Sequence, residues 1–152
     1  MKKTPRKPAL RRRVVASFEL MADFRSLREI RRVIVAQSRT LGISRGKIYR
    51  VLVSVEEACS NVLRHAYDEK DSKLLSIEIE TTRRQVKVLI RDIGKPFNFE
   101  RYPSSSMVKV AVKNRERGGY GIHLIKNLMD KYEYIRNDNG ENHLRLIKFL
   151  SR

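Results

Sequence analysis

Around residue 70 the apolar residues of this chain change their spacing, and that change restricts the folds open to it. From Phe24 to Ala66 they recur every three or four positions, whereas from Leu75 to Ile90 they alternate with polar residues. The first spacing lines one stripe of a helix, and the second lines one face of a half-buried strand. Asp23 stands where an N-cap is expected, ahead of a helical face running through Phe24, Leu27, Ile30, Ile34 and Leu41, and Gly42 stands where such a helix ends. Ser44 is placed to cap a second helix that continues to about Tyr67. So short a link makes the two helices packed neighbours. Leu75, Ile77 and Ile79, then Val86, Val88 and Ile90, predict two strands joined through Thr81 to Gln85. Val14 to Leu20 predicts a strand ahead of the helices. Ile122, Leu124, Ile125, Leu128 and Met129 predict a third helix. Tyr132 to Ile135 and Leu144 to Phe149 predict a final strand pair turned at Asp138-Asn139-Gly140. The order is strand, two helices, two strands, an unpatterned flap from Asn98 to Arg117, a helix and two strands. It predicts an α+β, two-layer sandwich with helices on one face of a mostly antiparallel sheet.

Charge is the compositional feature that needs a cause. The 152 residues carry a formal net charge of +17, which suits nucleic acid, an acidic protein or an anionic membrane surface. A basic surface with no such partner is the plain alternative. Residues 1–13 contain Lys2, Lys3, Arg6, Lys7, Arg11, Arg12 and Arg13 with no acidic residue, and read as a flexible arm ahead of a single domain at 14–152. The arm explains less than half of the excess. Arg25, Arg28, Arg31 and Arg32 extend it onto the first helix, but few aromatic residues are interleaved with these charges, so direct nucleic-acid binding is disfavoured. No apolar run approaches the length of a membrane span, so no membrane partner is expected. The single cysteine, Cys59, sits on the apolar side of its helix, and the expected location is cytoplasmic.

Three short motifs carry the chemistry. In VLVSVEEACSNVLRHAY, residues 51–67, Glu57, Asn61 and His65 are spaced four apart and form a polar row beside the apolar stripe. Such groups need partners if they are to be buried, and either a hydrogen-bond network or a bound ligand would supply them. Glu56 competes with Glu57, yet it lies about 100° round the helix and lacks the four-residue spacing to Asn61. Asp92-Ile93-Gly94-Lys95-Pro96-Phe97 breaks a strand with a tight turn. Arg117-Gly118-Gly119-Tyr120-Gly121 runs straight into a helix, an arrangement that offers backbone N–H groups to phosphates, although glycines before a helix also serve close packing alone.

In this order the motifs resemble the GHKL ATPase superfamily and its Bergerat ATP-binding fold, and most closely the anti-sigma regulatory factors, the RsbW-type serine-protein kinases. EEACSNVLRHAY looks like their N-box, RDIGKPF like their G1 motif and ERGGYGIHLIKNLMD like their G2 motif. The resemblance runs from about Phe18 to Phe149. It implies ATP and Mg²⁺ as cofactors, with Asn61 binding the metal through its amide oxygen and Glu57 taking the proton of an attacking serine. It implies that Asp92 accepts a hydrogen bond from the adenine amino group and that Gly94 lets the backbone pass close to the base. Gly119, Gly121 and Ile122 complete the nucleotide contacts, and Arg117 either neutralises charge on the transferred phosphoryl or stays solvated. For His65 a helix-packing role is expected. Pro96 stands where many members of the wider superfamily place a second glycine, which stiffens the turn. The resemblance further implies a homodimer that binds a sigma factor and phosphorylates a STAS-domain anti-anti-sigma protein. An ATP-responsive binding module without kinase activity needs the same pocket and remains the alternative.

Overall fold

The computed structural model describes residues 13–21, 23–68, 74–101 and 120–150. Strand β1 (Arg13–Met21) leads into helices α1 (Phe24–Thr40) and α2 (Arg45–Asn61), the latter extended by a π-helical turn at Val62–Ala66. Strands β2 (Leu74–Thr82) and β3 (Gln85–Asp92) follow, then a short 3₁₀ turn at Phe99–Arg101, helix α3 (Tyr120–Leu128), and strands β4 (Lys131–Arg136) and β5 (Asn142–Phe149). Arg13, assigned to the arm from sequence, is the first residue of β1; the rest of the arm lies outside the described residues. Every pairing is antiparallel and the sheet order is β1-β2-β3-β5-β4. The expected α+β two-layer sandwich is the observed architecture.

Local chemistry explains the element ends. The Asp23 carboxylate accepts from the Ser26 N–H at 2.8 Å, satisfying one of the free donors at the start of α1. Gly42 takes a left-handed φ of +70° and donates to the Arg39 carbonyl at 3.0 Å, which reverses the chain into α2. Ser44 departs from expectation. It occupies the N-cap position of α2, but its hydroxyl makes no capping bond; only its carbonyl takes part, accepting from the Ile48 N–H.

The strands behave as their alternation requires. Leu75, Ile77 and Ile79 of β2 and Val86, Val88 and Ile90 of β3 face the helices and are fully buried, together with Ile30, Ile34, Val51, Val55, Cys59, Ile122 and Ile125 from the helical layer. Each such aliphatic side chain contributes roughly 1.5–3 kcal/mol of burial free energy. Ion pairs cross the opposite face of the sheet: Glu80 with Arg13 and Lys87, Glu78 with Arg91, Glu133 with Arg145. That division leaves the other face to the helices, and the register of β3, β5 and β4 is what builds the site. Ile90, Leu144 and Tyr134 form one row across the three strands, and Asp92, Asn142 and Arg136 form the next.

Candidate functional site

The site lies where α2 ends. Up to Asn61 the helix is regular, and Glu57 and Asn61 share a face as the four-residue spacing predicts. The wider π turn at Val62–Ala66 then breaks the phase, as such turns often do beside functional sites. His65, within that turn, is exposed at the rim of a cavity and does not pack between helices as expected from sequence.

The cavity has a volume of about 140 Å³. Ile90, Leu144 and Tyr134 floor it, Ile122 and Ile125 of α3 with Ala58 and Val62 of α2 wall it, and Phe97 and Phe99 close it. Asn61, Asp92 and His65 are among its few polar lining groups. A mostly apolar cavity with a few polar groups is the form expected of a small-molecule pocket.

Asp92 is buried, and both of its internal hydrogen bonds fall on one oxygen. Oδ1 accepts from the Gly94 N–H at 2.8 Å and from Asn142 Nδ2 at 2.9 Å, while Oδ2 has no hydrogen-bond partner among the described residues. Desolvation pushes its pKa above the ordinary carboxylate value, against the opposing pull of Asn142, the Gly94 N–H and the Arg136 charge.

The turn after Asp92 is pinned at each backbone donor. Ile93 N–H donates to the Tyr67 hydroxyl at 3.1 Å, Gly94 N–H to Asp92, Lys95 N–H to the Ala66 carbonyl at 2.6 Å, and Phe97 N–H to the Tyr134 hydroxyl at 2.8 Å. Pro96, the departure noted from sequence, occupies the single position with no N–H to satisfy. Gly94 is required for a reason the sequence did not give. A Cβ there would overlap the Ala66 carbonyl oxygen and lie 2.6 Å from the Ala66 Cβ, so glycine lets this turn abut the end of α2.

At the other end, a Cβ on Gly121 would overlap the Glu57 carboxylate and lie 3.6 Å from Asn61 Nδ2. The first turn of α3 therefore stands directly against Glu57 and Asn61. Glu56 instead pairs with Arg31 of α1 at 3.0 Å, which separates the two adjacent carboxylates as the spacing argument did. Ile122 is buried in the cavity wall. Cys59 is fully buried, with its thiol pushed up to about 12 by desolvation, in keeping with a core role. Arg117 and Gly119 lie outside the described residues, as does most of the flap.

Asn61 offers at the cavity a hard amide oxygen, a donor type that magnesium accepts. No helix among the described residues is long and apolar enough to cross a membrane.

Comparison with known proteins agrees with this geometry. Residues 20–148 match the profile of the histidine kinase-like ATPase domain. The chain is 31% identical over 126 residues to the serine-protein kinase RsbW of Halalkalibacterium halodurans, covering 81% of this chain and 75% of that one. It is 27% identical over 118 residues to serine-protein kinase RsbW of Bacillus subtilis, covering 73% and 71%. Among solved structures, the RsbU and RsbW domains of Rv1364c from Mycobacterium tuberculosis share the fold with a TM-score of 0.63 at 16% identity, over 91% of this chain and 33% of that one. The SiaB–SiaC complex from Pseudomonas aeruginosa does so with a TM-score of 0.57 at 14% identity, over 91% of each chain. The chain thus belongs to the histidine kinase-like ATPase domain family, among the RsbW serine-protein kinases.

Proposed function

We propose that this protein is an ATP-dependent serine kinase that acts as an anti-sigma factor by partner switching: it phosphorylates a STAS-domain anti-anti-sigma protein and sequesters a sigma factor. The observation that carries the catalytic part is the meeting of Glu57, Asn61 and the glycine at 121, drawn from two helices, beside the cavity that Asp92 closes. Asp92 Oδ2 accepts from the adenine amino group, and the apolar walls stack the base. Asn61 holds Mg²⁺, which supplies charge neutralisation on the phosphates when bound. Glu57 accepts the proton of the serine hydroxyl as its oxygen bonds to the γ-phosphorus and the bond to ADP breaks. Arg117, with the backbone of Gly119 and Gly121, neutralises the charge that develops on the transferred group. The protein works as a cytoplasmic homodimer, and its basic surface favours acidic partners.

The test is transfer of labelled phosphate from ATP to a cognate STAS protein. Glu57→Gln is expected to abolish transfer while leaving ATP binding largely intact; undiminished transfer would remove Glu57 from the base role. If the wild-type protein binds ATP and labels no serine, the chain is an ATP-responsive binding module.

A further inference from the structure

The cross-strand row at the top of the sheet contains more than Asp92. Asp92 of β3, Asn142 of β5 and Arg136 of β4 are direct neighbours in the register, giving a carboxylate, an amide and a guanidinium in sequence across three strands. Asn142 is 1% exposed and fully committed: Nδ2 donates to Asp92 Oδ1 at 2.9 Å and to the Gly94 carbonyl at 3.1 Å, while Oδ1 accepts from Arg136 Nη1 at 2.8 Å. The same Arg136 Nη1 donates to the Gly94 carbonyl at 3.1 Å.

These contacts fix the Asn142 amide in one orientation. A guanidinium can only donate, and a carboxylate and a carbonyl can only accept, so flipping the amide would set oxygen against two oxygens and NH₂ against Arg136. The consequence falls on Asp92. Its Oδ1 is taken up by two donors, one from its own turn and one from β5, and Oδ2 is left without a partner among the described residues in a carboxylate that lines the cavity.

We infer that Arg136, acting through Asn142 and the Gly94 carbonyl, is a positioning residue that makes the pocket selective for a base bearing an exocyclic amino group. This rests on the nucleotide-pocket reading above and adds to it the residue that aligns the reading carboxylate. Arg136 lies on an edge strand and is itself exposed, so its truncation removes no apolar core side chain.

The test is calorimetric binding of ATP and of inosine triphosphate, whose base carries a carbonyl where adenine carries its amino group. Wild type is expected to prefer ATP by tenfold or more, the range for one hydrogen bond to a charged group. Arg136→Ala is expected to weaken ATP about tenfold with little change for inosine triphosphate, and Asn142→Asp, which sets a second carboxylate against Asp92, to weaken ATP further. Equal weakening of both nucleotides by Arg136→Ala would reduce Arg136 to a structural residue, and unchanged ATP affinity would overturn the inference while leaving the pocket intact. Wild-type protein that binds neither nucleotide would overturn the pocket reading itself, and the inference with it.

Discussion

The two ends of the cavity are built on opposite plans. Around Asp92 the protein satisfies its own polar groups: the backbone donors of Ile93, Gly94, Lys95 and Phe97, the Gly94 carbonyl, and one oxygen of Asp92 all have partners within the described residues. Around Glu57 and Asn61 it supplies proximity alone, through a glycine whose missing Cβ admits the first turn of α3, and neither side chain hydrogen-bonds to another described residue. The first end is preorganised and is part of the stability of the fold. The second contributes no such hydrogen bonds among the described residues. Substitutions at the two ends should therefore separate stability from chemistry.

The largest structural effect is expected at Gly94. Gly94→Ala forces a methyl group into the Ala66 backbone, and overpacking of this kind costs about 1–3 kcal/mol. Chemical denaturation would register it, and an unchanged midpoint would mean that the turn and the π turn are not locked together. Tyr67→Phe follows, because it leaves the Ile93 N–H and the Leu74 carbonyl without the hydroxyl that serves both, at a cost of about 1–2 kcal/mol.

Asp92→Asn should split the two properties within one residue. The amide oxygen can still accept from Gly94 and Asn142, so the fold persists, but the anionic acceptor toward the cavity is lost and ATP binding falls about 10- to 100-fold. Its pH dependence follows from the raised pKa. A carboxyl whose folded pKa lies above its unfolded value of about 3.9 binds more protons when folded, so its contribution to stability is complete below the unfolded value and is lost as pH rises through the folded value. Thermal unfolding from acid to neutral pH should show that decline in wild type and lack it in Asp92→Asn. The smallest structural effect is expected at the far end, where Asn61→Ala should shift stability by less than about 0.5 kcal/mol while removing the Mg²⁺ dependence of ATP binding.

The sequence made one of these ends far more legible than the other. Helical and alternating periods placed the strands and the three α-helices among the described residues, though not the π turn or the 3₁₀ turn, since most of these elements bury one face. The Glu57–Asn61 pair was legible for the same reason: both stand on regular helix. His65 was misread because nothing in VLRHA signals the π turn or the exposure of this side chain at the cavity rim. Asn142 and Arg136 left no local signal, because they meet Asp92 only through strand register, some fifty residues apart in the case of Asn142. Tyr67 and Tyr134 were visible only as an apolar flank and a strand residue. Their hydroxyls matter because the turn opposite them has donors to satisfy, and that is a property of the tertiary fold.

Titration of ATP into wild-type protein and Asn61→Ala by calorimetry, with and without Mg²⁺, tests the central claim most directly. Wild type should bind ATP more tightly with Mg²⁺ than without it, and Asn61→Ala should bind it equally weakly in both. Wild-type protein that takes up no adenine nucleotide in either condition would contradict the account.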